Sequence, residues 1–424
     1  MKRNSIWKKQ STKLFAAVLC FVFAFGPSTG LLASSAGAFA APGSDPASKD
    51  TLEQIKINEA AKEAAKELFT LEQVRKEAKA RGAETLRVKA DLVVAQASKD
   101  SADMSVNDAW DALGASYTLI QTGALPASAL ATAEAQLARA YAGLDQADDN
   151  LEDAKDSIAS QTALAEYNGE ELFFSWLQLN DSLALLDKTI DLSREQLKIE
   201  ELKARIGLST TTEVIKKALA LEELLERRQT LVNGIDMTGR SLMRQLGKKD
   251  DHEFRLNPAF SIEGLRESYD PDWLSATAVD KNLNLKILNR SIDKMKDNIS
   301  SGVLAFTDRN VIDANRDSLI LTRDNLIQGM KTLARATATG LDTAKADIAL
   351  LEKTVAEKQT AHDIMSLQVS LGLAPKIGLY GAELDLLSAQ SNLTKAQQNY
   401  YLSLRKAALL VDGVAVSAAS GQRG

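Results

Sequence analysis

Apolar side chains recur every three or four residues along most of the chain, which is the spacing of one face of an α-helix. The clearest series takes steps of four and three residues through Val214, Ala218, Leu221, Leu225, Arg228, Val232, Ile235, Gly239, Leu242 and Leu246. A similar series near the C-terminus runs through Leu379, Ala382, Leu386, Ala389, Leu393, Ala396, Tyr400, Ser403, Ala407 and Leu410. Sustained heptads predict helices that pack side by side as coiled coils. The pattern therefore predicts an all-α fold of long antiparallel coiled-coil helical hairpins, with little or no β-structure.

Glycine and proline interrupt this helical pattern at a few places. The stretch from 127 to 205 contains no proline and predicts a helix longer than about 100 Å. Turn signals precede it at Thr122–Pro126 and follow it at Gly207–Thr212. The segment 99–116 shows a mixed pattern, and the prolines in 250–275 predict a linker.

The chain contains an internal repeat with an offset of about 165 residues. Ile206-Gly207-Leu208 recurs as Leu371-Gly372-Leu373, and each triplet ends a long helix and opens a short turn. Near the start of each half, the segment 81–87 resembles 280–286, and each breaks a first helix. Two helical-hairpin repeats are therefore predicted, at 51–249 and 276–412. Such hairpins cannot bury all their apolar seams as a monomer, which favours lateral packing into a bundle or a ring.

The N-terminus has the organisation of a secretory signal peptide. A basic start precedes the apolar run 14–26, and Ala38-Phe39-Ala40 offers a small-residue cleavage site. We predict a signal peptide over 1–40 and a flexible leader over 41–50, with a retained membrane anchor as the alternative. The small, polar segment 413–424 predicts a disordered tail. The protein is expected to be exported to the cell envelope.

Composition argues against several kinds of function. The single cysteine is Cys20, inside the predicted signal peptide, so no disulfide, thiol catalysis or cysteine metal site is expected after cleavage. His252 and His362 are not spaced as paired ligands, and no catalytic constellation or phosphate loop is present. The net charge of -6 gives no electrostatic footprint for nucleic acid. We therefore predict a protein that is not an enzyme and has no cofactor, no metal and no nucleic-acid partner.

Three further features are interpreted as structural, and two of them also have a functional alternative. Arg228 could line a duct or set register, or it could be a surface arginine that packs through its alkyl stem. The acidic residues between 145 and 156 could attract cations or form a solvated helix face. The aromatic residues between 167 and 176 are most simply core packing. The structural interpretation is favoured for each.

Several motifs resemble those of the TolC family of outer-membrane efflux proteins. The helix start Phe69-Thr70-Leu71-Glu72-Gln73 is similar to the one that opens each repeat of that family. The turn Gly207–Val214 carries the Gly-Leu pair and the Glu-Val pair of the family turn. The turn Gly372–Leu379 is similar, with Gly378 in place of the acidic residue. The resemblance extends over roughly 68–412.

This resemblance implies a homotrimer that forms a hollow cylinder of twelve helices and acts as a duct for efflux or export. It also implies that the two turns form the tip that meets an adaptor protein and an inner-membrane pump. The partner-binding residues implied in this way are Gly207, Leu208, Thr212, Val214, Gly372, Leu373 and Leu379. The alternative is that the turns only close the hairpins, since any helical hairpin needs such a turn.

The chain departs from the family where the strands of the membrane barrel are expected. The corresponding windows, 98–130 and 297–316, lack the alternation of apolar residues that such strands require. The barrel hairpins are therefore expected to be reduced or missing, in an outer-membrane protein or in an extracytoplasmic protein of a monoderm bacterium. The alternative function is a structural or adhesive coiled-coil protein of the cell surface without channel activity. A periplasmic adaptor is disfavoured because its class carries a single hairpin.

Overall fold

The computed structural model describes residues 66–300 and 306–416. Eight helices and two short strands follow one another in this part of the chain. They are β1 (Glu67–Phe69), α1 (Leu71–Arg81), α2 (Ala83–Gln121), α3 (Ser128–Arg205), α4 (Thr211–Gln245), β2 (Phe254–Leu256), α5 (Pro271–Lys281), α6 (Leu283–Ser300), α7 (Phe306–Ser370) and α8 (Lys376–Val411). The all-α class is confirmed. The predicted signal peptide and leader lie outside the described residues.

The long helices α3 and α7 form the axis of the two repeats. With 78 residues, α3 is about 117 Å long, and the 65 residues of α7 make it about 98 Å long. At one end α3 pairs with α2, and at the other it pairs with α4; α7 pairs with α6 and α8 in the same way. None of the described helices combines the length and apolarity that a membrane crossing requires.

The helices lie side by side as a row. Towards the α3–α4 and α7–α8 turns, α3 packs against α4 and α8, and α8 packs against α7. The order there is α4–α3–α8–α7, so α4 and α7 are the two edges of the row. Towards the other end, α3 packs against α2 and α6, and α6 packs against α7.

Each repeat begins with an eleven-residue helix, α1 or α5. Thr70 caps α1, because its side chain accepts from the N–H of Gln73 while the Gln73 side chain accepts from the N–H of Thr70. The backbone is extended at Gly82 after α1 and at Asn282 after α5, with ψ of 145° and 120°. The structure thus makes Gly82 equivalent to Asn282, whereas the alignment of 81–87 with 280–286 placed Gly82 opposite Lys281, one residue earlier.

The buried core lies midway along the long helices. Phe173 and Phe174 of α3 are fully buried and pack edge to face, which agrees with the core interpretation of the aromatic residues. Trp176 packs on Phe254 of β2, and β2 pairs in parallel with β1. A Cβ on Gly239 would lie 3.2 Å from the Phe254 ring, which explains why this heptad position of α4 is glycine.

Several predictions from the sequence differ from the structure. The segment 99–116, with its mixed pattern, lies within the continuous helix α2. The two windows that lack strand alternation do not differ from expectation, because 98–130 is helical on both sides of its turn and the described parts of 297–316 are helical as well. The pair β1–β2 was not predicted. Val414 and Val416, in the tail predicted to be disordered, are buried beside Tyr167; residues 417–424 lie outside the described residues.

The acidic residues between 145 and 156 attach α3 to its neighbours. Asp148 pairs with Lys99 of α2, and Asp149 pairs with Lys294 of α6. Arg290 of α6 contacts three further acidic side chains, which are Glu152, Asp153 and Asp156 at 2.8, 2.7 and 3.4 Å. Since much of this negative charge is compensated within the chain, the cation-attracting interpretation loses its support.

Candidate functional site

The two predicted turns form hairpin tips with the same backbone geometry. The N–H of Gly207 donates to the carbonyl of Ala204, and the N–H of Leu208 donates to the carbonyl of Lys203. At the second tip, Gly372 and Leu373 make the equivalent bonds to Val369 and Gln368. This is the Schellman motif, which needs a residue with positive φ after the helix. The φ angles of Gly207 and Gly372 are 78° and 73°.

Both tips present the same exposed apolar side chains. Leu208 and Leu373 follow the turn glycines and are 75% and 76% exposed. Ile206 and Leu371 precede the glycines and are also exposed. The two tips therefore offer matched apolar ends that could be covered by a partner.

The predicted partner-binding residues do not all have this exposure. Thr212 is exposed on the first turn of α4. Val214 and Leu379, at equivalent positions of α4 and α8, are half-buried and so less exposed than the two leucines. Leu208 and Leu373 thus offer the larger contact surface.

The second helix of each tip, α4 or α8, starts differently. Thr210 caps α4 by accepting from the N–H of Glu213, whereas Pro375 at the start of α8 provides no side-chain cap. Ser209 donates to Glu200 of α3, and this hydrogen bond, followed by that from Lys203, lowers the pKa of Glu200. The first tip is therefore fastened to its own hairpin by polar contacts.

The tips offer contact surface rather than reactive groups. Over 66–300 and 306–416, no three histidine, cysteine, aspartate or glutamate side chains are grouped to hold a metal ion. Apolar tips of this kind can bind another protein by burying their leucines.

No family model matches the chain, and no curated protein matches it in sequence. Solved structures do match it in fold. The outer-membrane channel OprN matches with a TM-score of 0.55 and 11% identity, over 81% of this chain and 90% of that one. The CmeC outer membrane channel of Campylobacter jejuni matches with a TM-score of 0.57 and 9% identity, over 81% of this chain and 85% of the channel.

The chain has the TolC-like fold. A membrane protein from Pseudomonas aeruginosa also matches, with a TM-score of 0.54 and 11% identity, over 81% of this chain and 90% of that one. At these identities the likeness concerns the fold. It confirms the resemblance read from the turns and heptads of the sequence.

The TolC-like chain also contains a buried ion cluster that the sequence did not reveal. Glu166 and Glu170 of α3 lie between Arg75 of α1 and Arg405 of α8. Arg405 contacts Glu166 at 2.9 Å and Glu170 at 3.0 Å, and Arg75 contacts them at 2.7 and 2.9 Å. Tyr401 donates to Glu170 at 3.1 Å. The cluster joins helices of both repeats.

Burial and ion pairing act in opposite directions on the charged groups of this cluster. The Glu170 side chain is fully buried, and this desolvation raises its pKa although both arginines act in the opposite direction. The pKa of Arg75 is raised by its hydrogen bond with Glu166 and by the charge of Glu170, against the effect of burial. Two cations and two carboxylates therefore balance one another in the middle of the molecule.

Arg228 of α4 pairs with Asp187 of α3, with Nε 2.6 Å from Oδ1. This hydrogen bond raises the pKa of Arg228. The contact links the two helices of the first hairpin, so it fits the structural interpretation of this arginine.

Proposed function

We propose that this protein is a cell-envelope efflux or export component. Three copies form a helical duct, and the hairpin tips dock an adaptor protein and, through it, an inner-membrane pump. The observation that carries the proposal is an interface that the first repeat makes with the second, while the equivalent surfaces of the chain remain exposed.

Within the chain, this interface joins α3 to α8. Lys188 of α3 pairs with Glu383 of α8 at 3.1 Å. Leu192 of α3 and Tyr380 and Leu384 of α8 line the same cleft, with a volume of ≈ 370 Å³. The first repeat thus presents one face of its long helix to the second repeat.

Among the helices that the structure describes, none packs on the same face of α7. About 165 residues after the α3 positions, it carries a series with steps of three and four whose members are all exposed: Leu350, Lys353, Glu357, Thr360, Ile364 and Leu367. Leu350 is 64% exposed and Ile364 is 53% exposed. On the other edge, Ile215 and Leu219 of α4 are the equivalents of Tyr380 and Leu384, and both are exposed.

A second copy of the chain can provide a packing partner for each exposed edge helix. Pairing α7 of one copy with α4 of the next repeats the α3–α8 interface between chains. Such head-to-tail contacts close into a ring when the rotation allows. Three copies, the number implied by the family resemblance, would give the twelve-helix cylinder.

We expect the signal-free protein, residues 41–424, to have the mass of a trimer by light scattering in detergent-free buffer. Leu350→Arg places a charge on the exposed α7 face and should yield monomers, because a charge buried without a partner at an interface is strongly unfavourable. Helical content by circular dichroism should not change.

The control is Glu352→Arg, which lies on another side of α7 and should leave the mass unchanged. A monomeric wild type, or a Leu350→Arg variant that stays trimeric, would contradict assembly through these edges. A monomer would also remove the duct and favour a scaffold without channel activity.

Substitution of the exposed tip leucines by charged residues tests whether the tips dock a partner. We expect Leu208→Asp with Leu373→Asp to abolish the rescue of export in a strain that lacks the protein, because two exposed apolar contacts are lost. The Schellman hydrogen bonds use backbone atoms and should persist, so the mass of the trimer should be retained.

Gly207→Pro should also weaken adaptor capture, since proline cannot adopt the positive φ of that position.

A photocrosslinker at position 208 should yield an adduct with an adaptor protein, and one at position 124, on the opposite end of the molecule, should not. Full rescue by the double aspartate variant would remove the tips from the docking site. No observation on the described residues favours the adhesive alternative or a monoderm source.

A further inference from the structure

The turn between α2 and α3 lies at the opposite end of the molecule from the docking tips, and it is free of charge. The segment 112–133 contains no aspartate, glutamate, lysine or arginine, although such residues make up 25% of the chain. Alanine, leucine, isoleucine and tyrosine provide most of its side chains. We call this segment the α2–α3 tip.

The apolar side chains of the α2–α3 tip are turned outwards. Tyr117 is 56% exposed, Leu119 is 42% exposed and Leu125 is 36% exposed. Leu125 belongs to the turn itself, and the other two lie on α2. An apolar end without a charged rim is costly to leave in water.

The polar groups of the α2–α3 tip are largely satisfied within it. The hydroxyls of Thr118 and Thr122 donate to the carbonyls of Gly114 and Leu119, each at 3.0 Å. Thr132 donates in the same way within α3. In the turn, the N–H groups of Gly123 and Ala124 donate to carbonyls of α2. These hydroxyls and turn N–H groups would therefore enter an apolar medium with a partner.

Amphipathic aromatic residues flank the α2–α3 tip. Trp110 Nε1 donates to the hydroxyl of Tyr141 at 3.0 Å, which joins α2 to α3, and both rings are about half exposed. Glu134 is the first charge on α3, so the uncharged part of α3 that begins at Ser128 is about 9 Å long. That length matches the depth of about 5–10 Å to which interfacial segments enter the boundary between headgroups and acyl chains.

Helix α2 also extends further along α3 than the described part of α6, its equivalent in the second repeat. Lys99 of α2 and Lys294 of α6 pair with adjacent aspartates of α3, so they lie at the same level. From that level α2 continues to Gln121, whereas α6 ends at Ser300. Helix α2 therefore extends about 24 Å beyond Ser300, the last described residue of α6.

We propose that the α2–α3 tip inserts into the surface of a lipid bilayer. A protein partner would be expected to meet a one-sided apolar patch with a polar rim, whereas here the uncharged zone surrounds the end of the hairpin. The nearest charges, Asp108, Asp111, Glu134 and Arg139, are mostly acidic, so attraction to anionic lipid is not the driving force. Insertion depends on apolar burial, with Trp110 and Tyr141 near the headgroups. The inference stands apart from the proposed duct, because it rests only on this tip.

The test uses the signal-free protein and vesicles of phosphatidylcholine. We expect the protein to float with the vesicles equally at low and high salt. The chain after residue 40 has no cysteine, so Ala124→Cys provides a unique site for an environment-sensitive fluorophore. Its emission should shift to the blue on addition of vesicles. The same label at Ala374→Cys, on a docking tip, should not shift.

Leu119→Lys with Leu125→Lys should weaken vesicle binding by at least about tenfold, since lysine is unfavourable where leucine is favourable in the apolar layer. Leu208→Lys with Leu373→Lys is the matched control and should bind as the wild type does. The proposal is wrong if the wild type does not float, if both double variants bind equally, or if binding needs anionic lipid. Self-association that only Leu119→Lys with Leu125→Lys abolishes would instead assign the tip to a contact between copies.

Discussion

Arg405→Met is expected to lower the free energy of unfolding by about 3–5 kcal/mol at neutral pH, because it leaves a buried carboxylate without its main cation. Glu170 is fully buried, and Arg405 approaches its two oxygens at 3.0 Å. Arg75 stays in place but is the more exposed of the two arginines. The midpoint of chemical or thermal unfolding, at fixed protein concentration, measures the change.

The sign of the pH dependence is a second readout. Burial already raises the pKa of Glu170 in the folded protein, and loss of Arg405 removes an interaction that lowers it. Between the unfolded and the folded pKa, the folded state binds more protons, so stability falls as pH rises through this window. In Arg405→Met the folded pKa of Glu170 lies further above the unfolded pKa than it does in the wild type, so this pH window is wider. The difference in the free energy of unfolding between the variant and the wild type should therefore become smaller on acidification.

The control is Arg405→Met combined with Glu170→Met, which removes both charges. It should recover much of the lost stability, because replacing a buried ion pair by apolar side chains is often neutral. A cost below about 1 kcal/mol for Arg405→Met alone would mean that the pair acts like an exposed salt bridge.

The buried cluster could not be read from the sequence because its partners are distant along the chain. Arg75 and Glu166 are separated by 91 residues, and Glu166 and Arg405 by 239. A glutamate on a long helix has the pattern of a solvated residue. Only the approach of α1 and α8 to α3 makes these glutamates internal.

The hairpin tips were predictable because they are set by local chemistry. At each tip a glycine lies two residues after the last helical residue and is followed by leucine, which is the sequence pattern of a Schellman turn. The helical pattern of α2 was harder to recognise. Since α2 packs mainly against α3, its apolar face is narrow, and the series Val88, Ala95, Val106 and Ala109 is diluted by exposed residues. The mixed pattern of 99–116 follows from this single packing face.

The breaks at the starts of the repeats were predicted, but their tertiary role was not. Gly247, after α4, lies against the backbone of Arg81, and Gly413, after α8, lies against the backbone of Lys281. Each turn glycine thus packs on the end of the short helix in its own repeat. Strands of three residues, such as β1 and β2, are too short to give a periodic signal.

Gly413→Ala is expected to lower the free energy of unfolding by about 2–5 kcal/mol, for two additive reasons. The φ of Gly413 is 77°, which a residue with a Cβ adopts only with strain. That Cβ would also overlap the carbonyl of Lys281, at the junction that Asn282 closes by donating to the Gly413 carbonyl. Relief of the overlap requires α8 to move away from α5.

Gly372→Ala separates these two causes. Gly372 has nearly the same φ, 73°, but nothing lies within 4 Å of its Cβ position. Its replacement should cost only the backbone strain, about 1 kcal/mol, partly offset by the smaller entropy of the unfolded chain. The unfolding midpoints of both variants, at the same protein concentration, give the comparison. Equal losses would mean that the junction between α8 and α5 tolerates a methyl group and that backbone strain alone requires glycine there.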